Sequence, residues 1–398
     1  MYENFGFKIL AESGKARVGI LTTPHGTIYT PAFIFCATKA SIKSLAMPAV
    51  QECGTQAILS NTYHLMLQPG ADLVKSLGGL HKMTGWNGPM LTDSGGYQIF
   101  SLGYGSVSEE LKGRRLLRNR SSIIKIDESG AYFRSYLSGE LYHLTPEKSI
   151  EIQQKLGADL VVVLDECTPF HTSYEYTKKS MHMSTRWAQR SLEEFKKTHD
   201  GTQALYCVIQ GGVYRDLRHV SCEFANNFPF FGNAIGGSLG ACKQQMYDIV
   251  SLTSDMLDKK RPLHLLGIGN AVDIFHGALR GVDTFDCVYP TRIARHGAAL
   301  VQPEHRDVLG REYINLHASK FKPDIEPIEQ DCACYTCVNH SRGYLHHLLK
   351  AKELLAYSLI TIHNVHFMNK LMQLVRKSIT NGTLEEELTR WDTRSNDV

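Results

Sequence analysis

Residues 145–165 read TPEKSIEIQQKLGADLVVVLD. One helix and one strand are written into this stretch. Thr145 is a good N-cap, Pro146 suits the first helical position and Gly157 is a stop, which predicts a helix over 146–156. The apolar run 160–164 then reads as a buried strand that stops at Asp165. The unit recurs along the chain. Apolar runs at 57–60, 89–92, 205–209, 233–235, 263–266 and 284–285 lead into Asn61, Asp93, Gln210, Gly236, Gly267 and Asp286. Segments 173–197, 214–227, 244–259 and 271–279 read as helices between them. Strands alternating with helices predict a parallel sheet. So many strand ends, each followed by a polar or glycine-rich turn, fit an α/β fold of the (β/α)8 TIM-barrel kind with its site at the C-terminal face. A doubly wound open sheet is the alternative, and it has less use for functional residues on this many strands.

Three of those strand ends carry a carboxylate: Asp93, Asp165 and Asp286. One aspartate alone reads best as a helix N-cap. Three with the same pattern point to an active site. The bulk composition leaves that open. At 398 residues the chain has room for one large barrel or two ordinary domains. No apolar run is long enough to span a bilayer, and the first residues lack the basic and apolar segments of a signal peptide, so a cytoplasmic location is expected. A net charge of +3 neither demands nor excludes nucleic acid. The stretch 111–122 gathers Lys112, Arg114, Arg115, Arg118 and Arg120, which reads as a solvated loop or, beside a nucleic-acid site, as a phosphate contact.

Seven cysteines lie singly and read as buried thiols: Cys36, Cys53, Cys167, Cys207, Cys222, Cys242 and Cys287. Cys332, Cys334 and Cys337 are different. Three thiolates this close suit one tetrahedral metal ion, and sulfur and nitrogen donors suit zinc. The fourth ligand is open among His340, His346, His347, His363 and His366. Two helical segments follow, one over 344–358 and one from about Thr361. A hairpin between them would return His363 to the cysteines, which favours it. Four protein ligands leave no open position, so the site reads as structural.

Taken together, these motifs resemble the tRNA-guanine transglycosylase (queuine tRNA-ribosyltransferase) family in its bacterial type. The resemblance covers nearly the whole chain. It rests on SNTYHLM from Ser60, TDSGGYQ from Thr92, DECTP from Asp165, IQGG from Ile209, the Gly236-Gly237 pair, FDCVYPTR from Phe285 and the cysteine cluster. It implies one (β/α)8 catalytic domain over residues 1–398, with a zinc-binding subdomain near 325–380 inside it. It implies His363 as the fourth ligand of one structural Zn2+ per subunit, and a homodimer. The implied reaction exchanges the wobble guanine of tRNA for a 7-substituted 7-deazaguanine base, either queuine or its aminomethyl precursor. By the resemblance Asp286 is the nucleophile and Asp93 the general acid and base. Ser94, Gly95, Gly96, Asp165, Gln210 and Gly237 would hold the base, and Tyr97 and Leu266 would sandwich it. Gly267, Ile268, Gly269, Asn270, Ala271, Val272 and Asp273, with Thr291, Arg292, Ile293, Ala294 and Arg295, match segments that contact the tRNA anticodon loop.

The chemistry fits these residue types. Breaking an N-glycosidic bond passes through an oxocarbenium-like transition state that a carboxylate stabilises or traps. A second carboxyl can protonate the leaving base and deprotonate the incoming one. The chain also departs from the bacterial pattern. Ser238 and Gly240 are smaller than the leucine and valine-like residues usual there, which suggests room for queuine itself, whereas Cys167 keeps the bacterial-type residue. Ile293 and Ala294 are less polar than usual in their loop. Two other classes remain to weigh: a zinc hydrolase or deaminase, which needs an open metal position, and a non-catalytic zinc-containing RNA-binding partner subunit, which has no use for both Asp93 and Asp286.

Overall fold

The computed structural model describes residues 1–99, 123–307 and 309–392. The basic stretch 111–122 falls outside them. Eight parallel strands close into a barrel: β1 (Ala32–Cys36), β2 (Ala57–Ser60), β3 (Met90–Thr92), β4 (Leu160–Val162), β5 (Ala204–Ile209), β6 (Gly232–Ile235), β7 (Leu263–Leu265) and β8 (Thr284–Cys287). Each pairs with its neighbour, and β8 closes on β1 with Asp286 opposite Ile34.

Seven of these strands overlap the expected runs. The eighth, β1, went unread, because Ala-Phe-Ile-Phe-Cys ends on cysteine and alanine rather than at a polar or glycine turn. Three ends also differ. β7 stops at Leu265, one residue short of the expected run. Asp286 lies within β8 rather than beyond it, and β4 stops three residues before Asp165. The helix Pro146–Leu156 has the expected bounds, with Thr145 accepting from the Lys148 amide and Gly157 in the left-handed conformation. Helices Tyr174–Thr198, Arg215–Asn227, Lys243–Met256 and Ala271–Ala278 match the others within a few residues at each end. The core is dense with apolar side chains. Phe33, Phe35 and Phe285 are essentially fully buried, each worth about 1.5–3 kcal/mol of transfer free energy.

The bottom of the barrel is tied by a second set of aspartates. Asp159, just before β4, accepts from the Met90 amide at the start of β3 at 2.8 Å. Asp283, just before β8, accepts from the Leu263 amide at the start of β7 at 2.7 Å. An N-terminal antiparallel sheet (Gly6–Ser13, Ala16–Thr23, Gly26–Thr30) covers this end and supplies partners from Arg17 and from His25 in its second turn. Arg17 makes a two-pronged bond to Asp283 at 2.9 and 2.5 Å. His25 meets Asp159 at 2.7 Å, and His81 meets its other oxygen at 3.3 Å. The two imidazoles stack with centroids 3.6 Å apart and planes 12° apart. Near-parallel rings cannot aim two nitrogen lone pairs at one ion, so this group is a hydrogen-bonded clamp rather than a metal site. A cavity of about 160 Å³ opens at the same end, lined among others by Lys15, Arg17, Asn233 and Arg261. Its arginines are already committed, Arg17 to Asp283 and Arg261 to the carbonyls of Ala225, Asn226 and Phe228.

A second, smaller core forms after the barrel, around Ala294, Val301, Leu316, Phe321, Leu345 and Leu359. The expected helix over 344–358 is in fact two. Arg342–Ala351 ends at Lys352, which takes the left-handed φ of 59°, and a new helix runs over Leu355–Asn381. A lysine in that conformation gives no sequence signal, since glycine or asparagine normally marks such a stop. The second helix therefore begins well before Thr361. Its first turns pack on the small core, and Val365, Met368, Leu371 and Val375 pack on the barrel.

Candidate active site

All three upper carboxylates sit at the C-terminal face of the barrel. Asp93 follows β3 directly. Its Oδ1 accepts from the Thr62 amide at 3.0 Å, and its Oδ2 accepts from the Asn61 side-chain amide. The carbonyl end of the same Asn61 side chain accepts from the His64 amide at 3.0 Å and so caps helix Thr62–Leu67. One residue thus starts a helix and holds a carboxyl. Burial pushes the Asp93 carboxyl up to about 7. The Thr62 and Asn61 bonds oppose that rise, and the charge of Asp286 adds to it.

Asp286 projects from β8 and is 9% exposed. Its Oδ1 takes two donors, the Gly267 amide at 3.0 Å and His264 Nε2 at 3.1 Å. Its Oδ2 lies 3.6 Å from Cys36 Sγ on β1. Asp165 stands past β4, where Gln210 Nε2 donates to its Oδ2 at 2.6 Å and Ser94 Oγ to its Oδ1 at 3.4 Å. Burial pushes this carboxyl up to about 6 against those two bonds. Gly96 must be glycine here, because a Cβ would lie 2.5 Å from the Asp165 carbonyl oxygen and 2.8 Å from its Oδ1. The structure therefore brings Asp93, Ser94, Gly96, Asp165, Gln210 and Asp286 to one rim. Tyr97 is 44% exposed at the mouth, and Leu266 is half-buried.

The segments matched to RNA contact divide by burial. Gly267, Arg292 and Arg295 are exposed, and Ile268, Asn270 and Ile293 are half-buried. Gly269, Ala271, Val272, Asp273, Thr291 and Ala294 are buried. Asp273 is held inside by Tyr247 Oη at 2.6 Å and by the Lys243 ammonium. Its side chain serves the fold, and the exposed edge of this loop lies at Gly267–Ile268.

Four contributors were given no site role by the sequence reading: Asn61, there a strand end, Cys36, there a buried thiol, His264 and Arg218. Arg218 is fully buried on helix Arg215–Asn227. It donates to the carbonyls of Ile209 at 2.8 Å, Gly212 at 2.9 Å and Gly236 at 3.0 Å. Those carbonyls flank Gln210 and Gly237, so one guanidinium joins the ends of β5 and β6. Its five donors suit several carbonyls in a way a single ammonium does not. A turn beginning Tyr214-Arg-Asp-Leu-Arg gave only a helix start as its signal.

Near the C-terminus, Cys332, Cys334 and Cys337 Sγ lie 3.6, 3.7 and 3.3 Å from His363 Nδ1. A tetrahedral ion with sulfur at about 2.3 Å and nitrogen at about 2.0–2.1 Å sets those atoms about 3.6 Å apart. The donor set therefore fits a metal ion without rearrangement. His363 Nε2 bonds the Leu300 carbonyl at 2.8 Å, which leaves Nδ1 unprotonated toward the thiols. Among the open candidates, His346 is instead turned to the Leu316 carbonyl at 2.8 Å.

A family model described as Queuine tRNA-ribosyltransferase matches residues 12–396. This chain belongs to the queuine tRNA-ribosyltransferase family. A family protein of Roseiflexus sp. (strain RS-1), named queuine tRNA-ribosyltransferase, is 44% identical over 387 residues, covering 95% of this chain and 96% of its own. Proteins of the same name from Caldanaerobacter subterraneus subsp. tengcongensis and Protochlamydia amoebophila are each 43% identical. The first match covers 94% of this chain and 92% of the relative, the second 94% and 95%. Among the described residues, no helix of this family member is long and apolar enough to cross a membrane.

Proposed function

We propose that this chain, as a tRNA-guanine transglycosylase, exchanges the wobble guanine of tRNA for a 7-substituted 7-deazaguanine by double displacement. The buried pair of carboxyls carries this reading: Asp286 with two donors on one oxygen, and Asp93 held near neutrality beside it. Asp286 attacks the anomeric carbon of the ribose. The glycosidic bond breaks, its electron pair leaves with guanine, and Asp93 gives the proton that guanine needs. The incoming base then loses a proton to Asp93 and displaces Asp286. Two inversions give net retention. Asp165, ionised, would accept the N–H edge of the base, and Gln210 and the Gly237 backbone would read its carbonyl edge. Tyr97 and Leu266 would cover its faces. The exposed Arg292 and Arg295, with Gly267 and Ile268, would take the anticodon loop.

A pH profile follows. Adduct formation needs Asp165 ionised and Asp93 protonated. The rate should rise as pH passes about 6, where Asp165 loses its proton, and fall as pH passes about 7, where Asp93 loses its own. Single-turnover rates between pH 5 and pH 9 read both limbs. A rate that stays flat from neutral to alkaline pH would remove Asp93 from the acid role.

For the incoming base, we read the pocket as open to queuine itself. Gly240 has φ 127°, a conformation side chains rarely adopt, and a Cβ there would meet Gln245 Oε1 at 2.6 Å. A side chain here would press on Gln245, so the structure requires glycine at this turn, and the smaller Ser238 carries the size argument. Ser238, two residues before Gly240, and Cys167, two residues after Asp165, are both buried. Purified enzyme with tRNA should incorporate labelled queuine and labelled aminomethyl precursor. Ser238→Leu should raise KM for queuine by about 10-fold or more while leaving guanine exchange less affected. Incorporation of the precursor alone ends the queuine reading.

The ion that best fits the three thiolates and imidazole is one structural Zn2+ per chain. Its ligands belong to a subdomain near residues 325–380 inside a single catalytic domain. We further propose a cytoplasmic homodimer built partly with that subdomain, where Ile325, Tyr335, Val338 and Leu354 are exposed apolar side chains.

A further inference from the structure

His264 is the middle residue of β7 and is fully buried. Register pairs it with Thr284 on β8. Alternate residues of a strand share a face, so Thr284 and Asp286 both stand beside the ring. Its Nδ1 lies 2.9 Å from Thr284 Oγ1 and its Nε2 lies 3.1 Å from Asp286 Oδ1. An ionised carboxylate only accepts, so Nε2 carries the proton and Nδ1 receives the Thr284 hydroxyl. The Gly267 amide, from the turn that ends β7, donates to the same Oδ1. Both donors therefore come from one strand and its turn, and both fall on one oxygen. Among the described residues, Oδ2 accepts only from the Cys36 thiol at 3.6 Å, a weak donor that burial holds well above its ordinary range, so no second anion stands there.

We propose that His264 is the positioning residue of the nucleophile, fixing Oδ1 of Asp286 so that Oδ2 is the oxygen that bonds to ribose. The proposal rests on the reading of Asp286 as nucleophile. When Oδ2 forms its bond to the anomeric carbon, the glycosidic bond breaks and the electron pair leaves with the base. Oδ1 then becomes a neutral ester carbonyl. A hydrogen bond to a carboxylate is stronger than one to a neutral carbonyl. His264 thus favours free enzyme over adduct, and it stabilises the carboxylate as it departs in the second displacement. A residue that only supports the fold would not shift that balance.

The test is the ratio of covalent enzyme–RNA adduct to free enzyme at fixed guanine, read on a denaturing gel with tRNA. His264→Leu should raise the ratio by about 10-fold and lower kcat, with KM for tRNA nearly unchanged. His264→Gln, which can return a donor, should bring the ratio back toward that of the parent. Thr284→Val keeps the volume, frees the far nitrogen and should raise the ratio by about 2- to 3-fold, which keeps the test available if leucine is not tolerated. A ratio unchanged in both the leucine and the valine variants overturns the proposal. An adduct that still forms with Asp286→Ala overturns the reading of Asp286 instead.

Discussion

Asp286→Ala is expected to abolish base exchange and the covalent RNA adduct together. The expected loss in kcat is about 10⁴-fold or more, because the one nearby carboxyl, Asp93, is tied to the Thr62 amide and the Asn61 side chain and is engaged with the base. The neighbours on Oδ1 and Oδ2 are an amide, an imidazole and a thiol. None is an anion. The alanine variant should still bind tRNA, since the exposed Arg292 and Arg295 lie on the following helix and its immediate end, away from the lost side chain. Labelled guanine exchange and a denaturing gel measure the two losses, and a filter-binding titration measures retained affinity. Exchange at a rate within tenfold of the parent would sink the double-displacement reading (about 1.4 kcal/mol separates each tenfold step).

Removing the metal is expected to have the second largest effect, and on stability first. Cys337→Ser or a strong chelator should unfold the small core around Phe321, Leu345 and Leu359. Structural zinc in isolated small domains contributes about 10–16 kcal/mol of apparent binding free energy at neutral pH. The loss should reach the RNA surface as well. Asn364, next to the ligand His363, bonds the Pro290 carbonyl at 2.9 Å and the Ala298 carbonyl at 3.1 Å. Pro290 lies in the helix Tyr289–Ala294 that carries Arg292. KM for tRNA should therefore rise along with the fall in thermal stability. Metal content by elemental analysis, thermal unfolding and steady-state kinetics check the three parts. A Cys337→Ser protein with one bound ion per chain and an unshifted melting temperature would remove the four-ligand assignment.

How much of this was written in the sequence depends on the range of each interaction. Strand ends with polar stops were legible locally, and Asp93, Asp165 and Asp286 could be found from them. β1 was not, since its stop is a cysteine. The neighbours of the carboxylates were not legible either. Asn61, His264 and Arg218 lie 32, 22 and 18 residues from the partners Asp93, Asp286 and Gly236 that give them meaning. No periodicity encodes such pairs. The fourth metal ligand was only favoured, because the position of the helix hairpin depends on Lys352, whose left-handed turn has no sequence mark.

The His25–His81–Asp159 clamp responds to acid in the opposite sense to the catalytic carboxyls. Burial works to raise Asp159, but bonds from His81, His25 and the Met90 amide outweigh it and hold the carboxyl below its usual range. A depressed native pKa stabilises the fold above the unfolded value and is lost only as pH falls through the native one. Asp93 and Asp165 are raised, so their protonated forms favour the fold, and that contribution fades as pH rises toward about 7 and about 6. Mild acidification thus silences the catalytic rim without loosening this clamp. The clamp gives way only when Asp159 gains a proton and the start of β3 loses its charged acceptor.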